Sequence, residues 1–478
     1  MMMTSRRRFL GSAASTLAVA ALPRAGRADD APVELRVASR TIEVDGKAAK
    51  VYGLPQADGT PGLTAAVGDR FRVQLKNELT TDTLVHWHGL TPPSDQDGVP
   101  ELSQPALAAG ANYSYDFALP RAGTNWMHSH VGLQEQQLAA APLIVRDPAD
   151  ASRDEQEVVV LLHDFTFRDP QEIYAGLSRG MGGMGMPGMD MAGMDHSKKG
   201  QGGMAGMAMD LHDVDFDAYL ANDRTLADPE VVRVEPGGRV RLRIINGASA
   251  TNFVLDLGAL EGELIAADGH ALAVGIRGRR FELAIAQRLD IRLSLPGGLG
   301  DYPILAIREG DRPQTGIILA TPGADVARVP IQAQTAAGVV GLDLERRLQA
   351  AEPQVPRSAD RTHALDLTGS MMTYVWGFNG RRFGEGAPLA VRQGERVHIV
   401  LRNLTEMSHP VHLHGHPFQV IALSDQALRG ALRDTVQVPP GTSVTVAFDA
   451  DNPGHWALHC HNLYHMTAGM MTSVRYEA

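Results

Sequence analysis

The chain has 478 residues, 44% of them hydrophobic and 21% charged, with a single cysteine. That length suggests about three domains, and the composition is that of a globular protein, not of a disordered or fibrous one. A net charge of −11 argues against nucleic acid or an anionic bilayer as partner, and one cysteine excludes any internal disulfide.

The N-terminus comes first. Ser5-Arg6-Arg7-Arg8-Phe9-Leu10 precedes a mildly apolar run from Gly11 to Leu22, then Pro23 and a small-residue exit near Ala28. Residues 1–28 resemble a twin-arginine signal peptide, too short in its apolar part for a permanent membrane anchor. The expectation is a periplasmic protein carried folded by the twin-arginine export machinery. Cleavage after Ala28 removes five of the 44 basic residues, leaving 39 against 55 acidic and a net charge of −16.

An internal repeat sets the layout. Residues 68–77, 237–246 and 394–403 each carry Gly at place one, Arg at three, Asn at ten and apolar residues at four, six and eight. That is a period-two strand after a turn, recurring at whole-domain spacing. Nine and eleven residues after each Asn stand His86 and His88, Leu255 and Leu257, or His412 and His414. Five residues after Gly123, Gly300 and Gly454 begin His128-Ser129-His130, Leu305-Ala306-Ile307 and His459-Cys460-His461. The repeat predicts three copies of one Greek-key β-sandwich, the middle one with apolar residues at the ligand places. The partition is 31–147, 158–322 with a Met-rich insert over 178–212, a surface-covering linker at 323–358, and 359–478.

Four segments hold ten of the 18 histidines: His86, His88, His128, His130, His409, His412, His414, His459, His461 and His465. Strand residues two apart share a face, so His459 and His461 point one way and Cys460 the other. A thiolate with two imidazoles and a weak thioether, here Cys460, His465, a further histidine and Met470, describes a blue-copper site. The isolated histidines His163, His270, His363, His398, His416 and His455 read as structural. Ten histidines and a cysteine fit four coppers, and exceed what a three-ligand catalytic zinc requires.

H-W-H-G, H-S-H, H-P-V-H-L-H-G-H and H-C-H-x3-H-x4-M, in this order, resemble the four copper motifs of the multicopper oxidases, over essentially the whole chain after residue 28. The resemblance implies three cupredoxin-like domains and four copper ions. It assigns His409, Cys460 and His465 to a type 1 copper with Met470 axial, and His86 and His412 to a type 2 copper. His88, His128 and His461 would hold one type 3 copper, and His130, His414 and His459 the other. The trinuclear cluster should lie between domains 1 and 3 on a pseudo-two-fold. Cys460 would pass electrons to His459 and His461, and O2 would be reduced to water. Asp97 matches an acidic residue that supplies protons in similar enzymes, with a turn-forming Asp-Gly as the bland alternative.

Met181, Met184, Met186, Met189, Met191, Met194, Met204, Met207 and Met209 lie among glycines in a low-complexity insert. Thioethers favour Cu(I), so this insert is expected to collect cuprous ion. Glu406 and Met407, just before His409, form a candidate substrate site, with Met371, Met372 and Met466 as further candidates. Similar inserts occur in copper-resistance and copper-efflux oxidases, and the Y-H-M wording at 464–466 resembles the copper-resistance branch. The expected activity is oxidation of Cu(I) by O2 for copper detoxification. The alternatives are a laccase-like oxidase of phenols or aromatic amines, and a non-catalytic copper-sequestering protein.

Overall fold

The computed structural model describes residues 31–179 and 211–477. Among them the chain is all-β, built as three cupredoxin-like sandwiches. The repeat strands Arg70–Asn77, Arg239–Asn246 and Arg396–Asn403 occupy the same place in each. Each runs parallel to the strand that opens its copy: Val33–Val44, Gln156–Phe165 or Arg361–Ser370. On its other side each pairs antiparallel with Asn112–Ala118, Arg288–Ser294 or Ser443–Asp449. The second strand, Gln156–Phe165, begins two residues before the boundary expected at 158. A second sheet faces each of these, of four strands in the first copy and five in the others. Three cores fill the sandwiches, around Phe71 and Trp87, Leu242 and Phe253, and Phe418 and Trp456.

The physical reason for the repeated Asn is visible in its hydrogen bonds. Each is buried at the strand's end. Asn77 Nδ2 donates to the carbonyls of Thr81 and Leu107 at 2.9 and 2.8 Å, while its Oδ1 accepts from Leu79 N–H. Asn403 does the same with Met407, Val438 and Thr405. Asn246 uses Thr251, Leu283 and Ala248. Each side chain thus closes a turn whose backbone groups would otherwise be buried without partners, a loss of about 1–3 kcal/mol per group.

One difference among the three turns overturns part of the predicted register. The first carbonyl lies four residues after Asn77 and Asn403, but five after Asn246. The extra residue turns the next strand over. Val85 and Trp87, and likewise Val411 and Leu413, face their cores, whereas in the middle copy Leu255 and Leu257 do so. Leu255 pairs with Ala306 as Val85 pairs with Ser129 and Val411 with Cys460. The counterparts of His86 and His88 are therefore Asp256 and Gly258, not Leu255 and Leu257. The match of Leu305-Ala306-Ile307 to the H-S-H and H-C-H segments fits this pairing.

The segment 323–358 runs over the middle sandwich and contributes to its packing. Ala333, Ala337 and Val340 cover Val254 and Ile307, Leu348 enters the main core, and Val340 N–H donates to buried Glu309 at 2.6 Å. Among the described residues no helix is long and apolar enough to cross a membrane. The expected signal peptide lies outside the described residues.

Candidate metal centre

The histidine-bearing strands Gly123–Ser129 and His409–Leu413 are buried at every residue. One face lines a sandwich core and the other meets the opposite sandwich, so alternate residues serve each. Cross-strand pairs His86–His128 and His412–His459 set two ligands side by side in each domain. The two domains then bring their faces together. His88 stacks on His412 and His86 on His414, both with ring centroids 3.8 Å apart. Exchanging the first domain for the third turns one pair into the other, so the equal spacings express a pseudo-two-fold axis through the cluster.

Four convergent sets of histidine and cysteine result, each with ligand atoms within 4.8 Å of one another: His86, His88 and His412; His88, His128 and His461; His130, His414 and His459; and His409, Cys460 and His465; a fifth group joins Asp97 to His86 and His414. Nε2 of His459 lies 3.0 Å from that of His414 and 3.4 Å from that of His130. Nε2 of His86 and His412 are 3.4 Å apart. Nitrogens bound to one ion at about 2.0 Å stand about 3.3 Å apart in a tetrahedron, so these edges suit a shared metal.

The opposite ring nitrogens are held by oxygen acceptors, which leaves the inner ones as lone pairs. His86 Nδ1 donates to Asp97 O at 2.9 Å and His412 Nδ1 to Asp434 O at 2.8 Å. His414 Nδ1 donates to Asp97 Oδ2 at 2.7 Å, and His88 Nε2 to Asp434 Oδ1 at 3.0 Å. Asp97 and Asp434 are thus counterparts across the pseudo-two-fold, each holding one histidine from either domain. His128 Nδ1 donates to Ser129 O at 3.2 Å, with Glu135 Oε2 2.8 Å away, and His459 Nδ1 donates to Cys460 O at 2.9 Å. His88 Nδ1, His128 Nε2 and His461 Nε2 are buried without any partner and belong to a single set. Three orphaned imidazole nitrogens aimed at one point fit a borderline or soft cation. Burial holds His88, His128, His130, His409, His412, His414 and His461 well below the usual histidine range, and His459 at about 3. These seven and His459 are therefore neutral, as ligation requires.

On the other face of the H-C-H strand, Cys460 Sγ lies 3.6 Å from His409 Nδ1 and 3.8 Å from His465 Nδ1, which are 3.1 Å apart. His409 Nε2 donates to Thr405 Oγ1 at 2.8 Å. His465 sits on the one-turn helix Leu463–Thr467, capped by Asn462, whose Oδ1 accepts from Tyr464 and His465 N–H. Burial pushes the Cys460 thiol up, so a metal ion would displace its proton. Met470 is buried in the same cluster as Cys460 and Met407, and its carbonyl accepts from Cys460 N–H at 3.0 Å. Glu406 is exposed and Met372 largely so, while Met371 and Met466 pack against that core. The nine methionines from Met181 to Met209 lie outside the described residues.

Family models described as multicopper oxidase match residues 36–150, 156–323 and 356–478. The chain is 32% identical over 473 residues to multicopper oxidase MmcO of Mycobacterium tuberculosis, covering 97% of this chain and 90% of that one. The chain belongs to the multicopper oxidase family. It is an O2-dependent oxidoreductase with copper cofactors. This oxidase is also 26% identical to copper resistance protein A of Escherichia coli, over 95% of its own length and 94% of the relative's. Among solved structures, Fet3p, a multicopper oxidase that functions in iron import, superposes with a TM-score of 0.76 at 19% identity, covering 93% of this chain and 90% of that one. The laccase from Botrytis aclada gives 0.75 at 22%, with 92% and 86% covered.

Four residues of the oxidase's centre escaped the sequence reading. Glu135, five residues after His130, is buried against His128, and burial raises its carboxyl well above the ordinary range. Asp434 and Arg288 form a buried two-point ion pair between the third and middle domains. Asp213 accepts from His465 Nε2 at 3.2 Å and from Asn462 Nδ2 at 2.6 Å. Burial pushes Asp213 up, but His465 and Asn462 outweigh it and its carboxyl stays below the usual range.

Proposed function

We propose that this oxidase takes electrons from Cu(I) at a type 1 copper that His409, Cys460, His465 and Met470 would hold. O2 would be reduced to water at three further coppers held by the remaining histidines. His86 and His412 would hold the type 2 ion. His88, His128 and His461 would hold one type 3 ion, and His130, His414 and His459 the other, four coppers in all. The copper ions supply one-electron chemistry at the first site and four-electron chemistry at the second. Cys460, bonded through the chain to His459 and His461, is the path between them. Asp97, hydrogen-bonded to His414 and beside His86, would hold the proton nearest the cluster.

The observation that carries the cuprous reading is where the Met-rich insert leaves and returns. Before it, the helix Pro170–Ser178 packs Ile173 into the type 1 core, and Tyr174 Oη donates to Thr467 O at 3.3 Å. After it, Asp213 touches His465. The described residues on either side of the thioether-rich segment therefore stand at the edge of the proposed electron-entry site, with a buried carboxylate that favours a cation. Glu406 and Met407 are a second approach to His409. We further propose export by the twin-arginine route to the periplasm, on the Arg6-Arg7-Arg8 leader, and domains bounded at 31–147, 158–322 and 359–478.

O2 uptake with Cu(I) held in a weak chelator, compared between the full chain and a variant lacking 181–209, tests the reading. Cuprous oxidation should fall in the deletion while phenol oxidation persists. Negligible cuprous oxidation by both proteins, with fast phenol turnover, would make the laccase reading the correct one.

A further inference from the structure

The middle domain holds no histidine of the four ligand sets, yet it sends Arg288 into the space between the other two. Arg288 is fully buried. Its Nη1 donates to Asp434 Oδ1 at 2.7 Å and its Nη2 to Asp434 Oδ2. Its Nε donates to Thr124 O of the first domain at 3.1 Å. One side chain thus ties all three domains at an aspartate whose carboxylate holds His88 and whose main-chain carbonyl holds His412.

The H-W-H-G motif makes room for it. Gly89 has φ +96°, and a Cβ there would lie 2.3 Å from Asn125 Oδ1 and 2.7 Å from Arg288 Nη2. The glycine beside His88 thus leaves room for both side chains. Asp268, also buried, accepts from Asp434 and Thr435 N–H at 3.4 and 3.3 Å and lies 3.5 Å from Arg288 Nη1. Arg433 Nε stands 3.3 Å from Asp268, so without Arg288 it is Asp434 whose carboxylate would lose its guanidinium in a dry site and have reason to turn away.

His88 is the histidine whose orientation depends on this. Its Nε2 is taken by Asp434 and Thr435, so Nδ1 is the atom left for the metal. His414, its pseudo-two-fold counterpart, has Nδ1 taken by Asp97 and offers Nε2. The two carboxylates therefore present opposite ring atoms to the cluster, and Asp434 is the one fixed by a guanidinium.

We infer that Arg288 is a positioning residue for the oxygen-reducing centre: it locks Asp434 so that His88 offers Nδ1 rather than Nε2. The inference rests on the copper assignment above.

The test uses copper-loaded Arg288→Lys, since an ammonium cannot reproduce the two-point pairing. The blue type 1 absorption and its anaerobic reduction by Cu(I) should be unchanged, which reports a folded protein. The type 3 absorption, the type 2 electron paramagnetic resonance signal and turnover should fall or alter about 10–100-fold, with KM for the reductant constant. Wild-type copper content and spectra in this variant overturn the inference. If the variant lacks the blue band, Asp434→Asn decides by the same readouts. Its amide has a single acceptor oxygen and cannot pair with Arg288 at two points, so wild-type type 3 absorption overturns the inference there. Wild-type protein without type 2 and type 3 signatures would instead refute the copper assignment.

Discussion

Asp213 and His465, 252 residues apart, meet at 3.2 Å through a carboxylate oxygen and Nε2. The contact leaves Nδ1 facing Cys460 and sets a negative charge on the outer edge of His465, the histidine proposed for electron entry. Asp213→Asn keeps an acceptor but removes the charge. Cu(I) oxidation should slow about tenfold, roughly 1.4 kcal/mol of barrier, with the blue band intact and phenol oxidation less affected. Equal rates for Cu(I), measured by O2 uptake, would remove the carboxylate from the cuprous pathway.

Cys460→Ser replaces the soft thiolate with a hard, protonated oxygen. The intense blue absorption should vanish, while the copper cluster remains loadable, because Cys460 and the cluster histidines lie on opposite faces of one strand. Absorption and resonance spectra check both halves. A blue band that survives would place the type 1 copper elsewhere.

Gly98 follows Asp97 with φ +81°, and a Cβ there would sit 1.8 Å from Val85 O. Gly98→Ala must shift the loop that carries Asp97 under His86 and His414. The cost should be about 1–3 kcal/mol of backbone strain, read as a lower melting temperature, together with an altered type 2 signal. An alanine protein with both unchanged would show that the loop is not held in place by this contact.

Glu309 is a buried carboxyl outside the four ligand sets. Burial, against hydrogen bonds from Asn252 and Val340, raises its carboxyl from 4.5 to about 7. The folded protein keeps a proton there that the unfolded chain has released. The stability tied to that proton is complete below about pH 4.5 and is lost as pH rises through 7, about 3 kcal/mol in full. Glu309→Gln should match wild type in urea midpoint near pH 4 and exceed it near pH 8. A constant difference across that range would assign the effect to packing.

Much of the histidine cluster was legible because its members come in short strands whose spacing is set by local geometry. His86 and His88, or His459 and His461, share a face by alternation alone, and the conserved-looking Gly-Arg-Asn frame marks where each sandwich starts. Three further residues were not legible for the opposite reason. Asp434 lies 346 residues from His88, Arg288 lies 146 from Asp434, and Asp213 reaches His465 across two domains. Nothing at such separations leaves a period or motif. The register of the middle copy was misread because one added residue after Asn246 changes no composition and breaks no pattern of apolar residues. It only changes which of two alternating faces meets the core.

That added residue also limits what the middle domain could become. Histidines written at positions 255 and 257 would be driven into the sandwich interior, among Phe253 and Leu242, and would unfold it before binding anything. A fourth metal-bearing face would require changes at Asp256 and Gly258, where Asp256 is already engaged by Arg280, or the removal of one residue from the turn. Histidines placed at the numerically matching positions would therefore not build a metal-binding face in this domain.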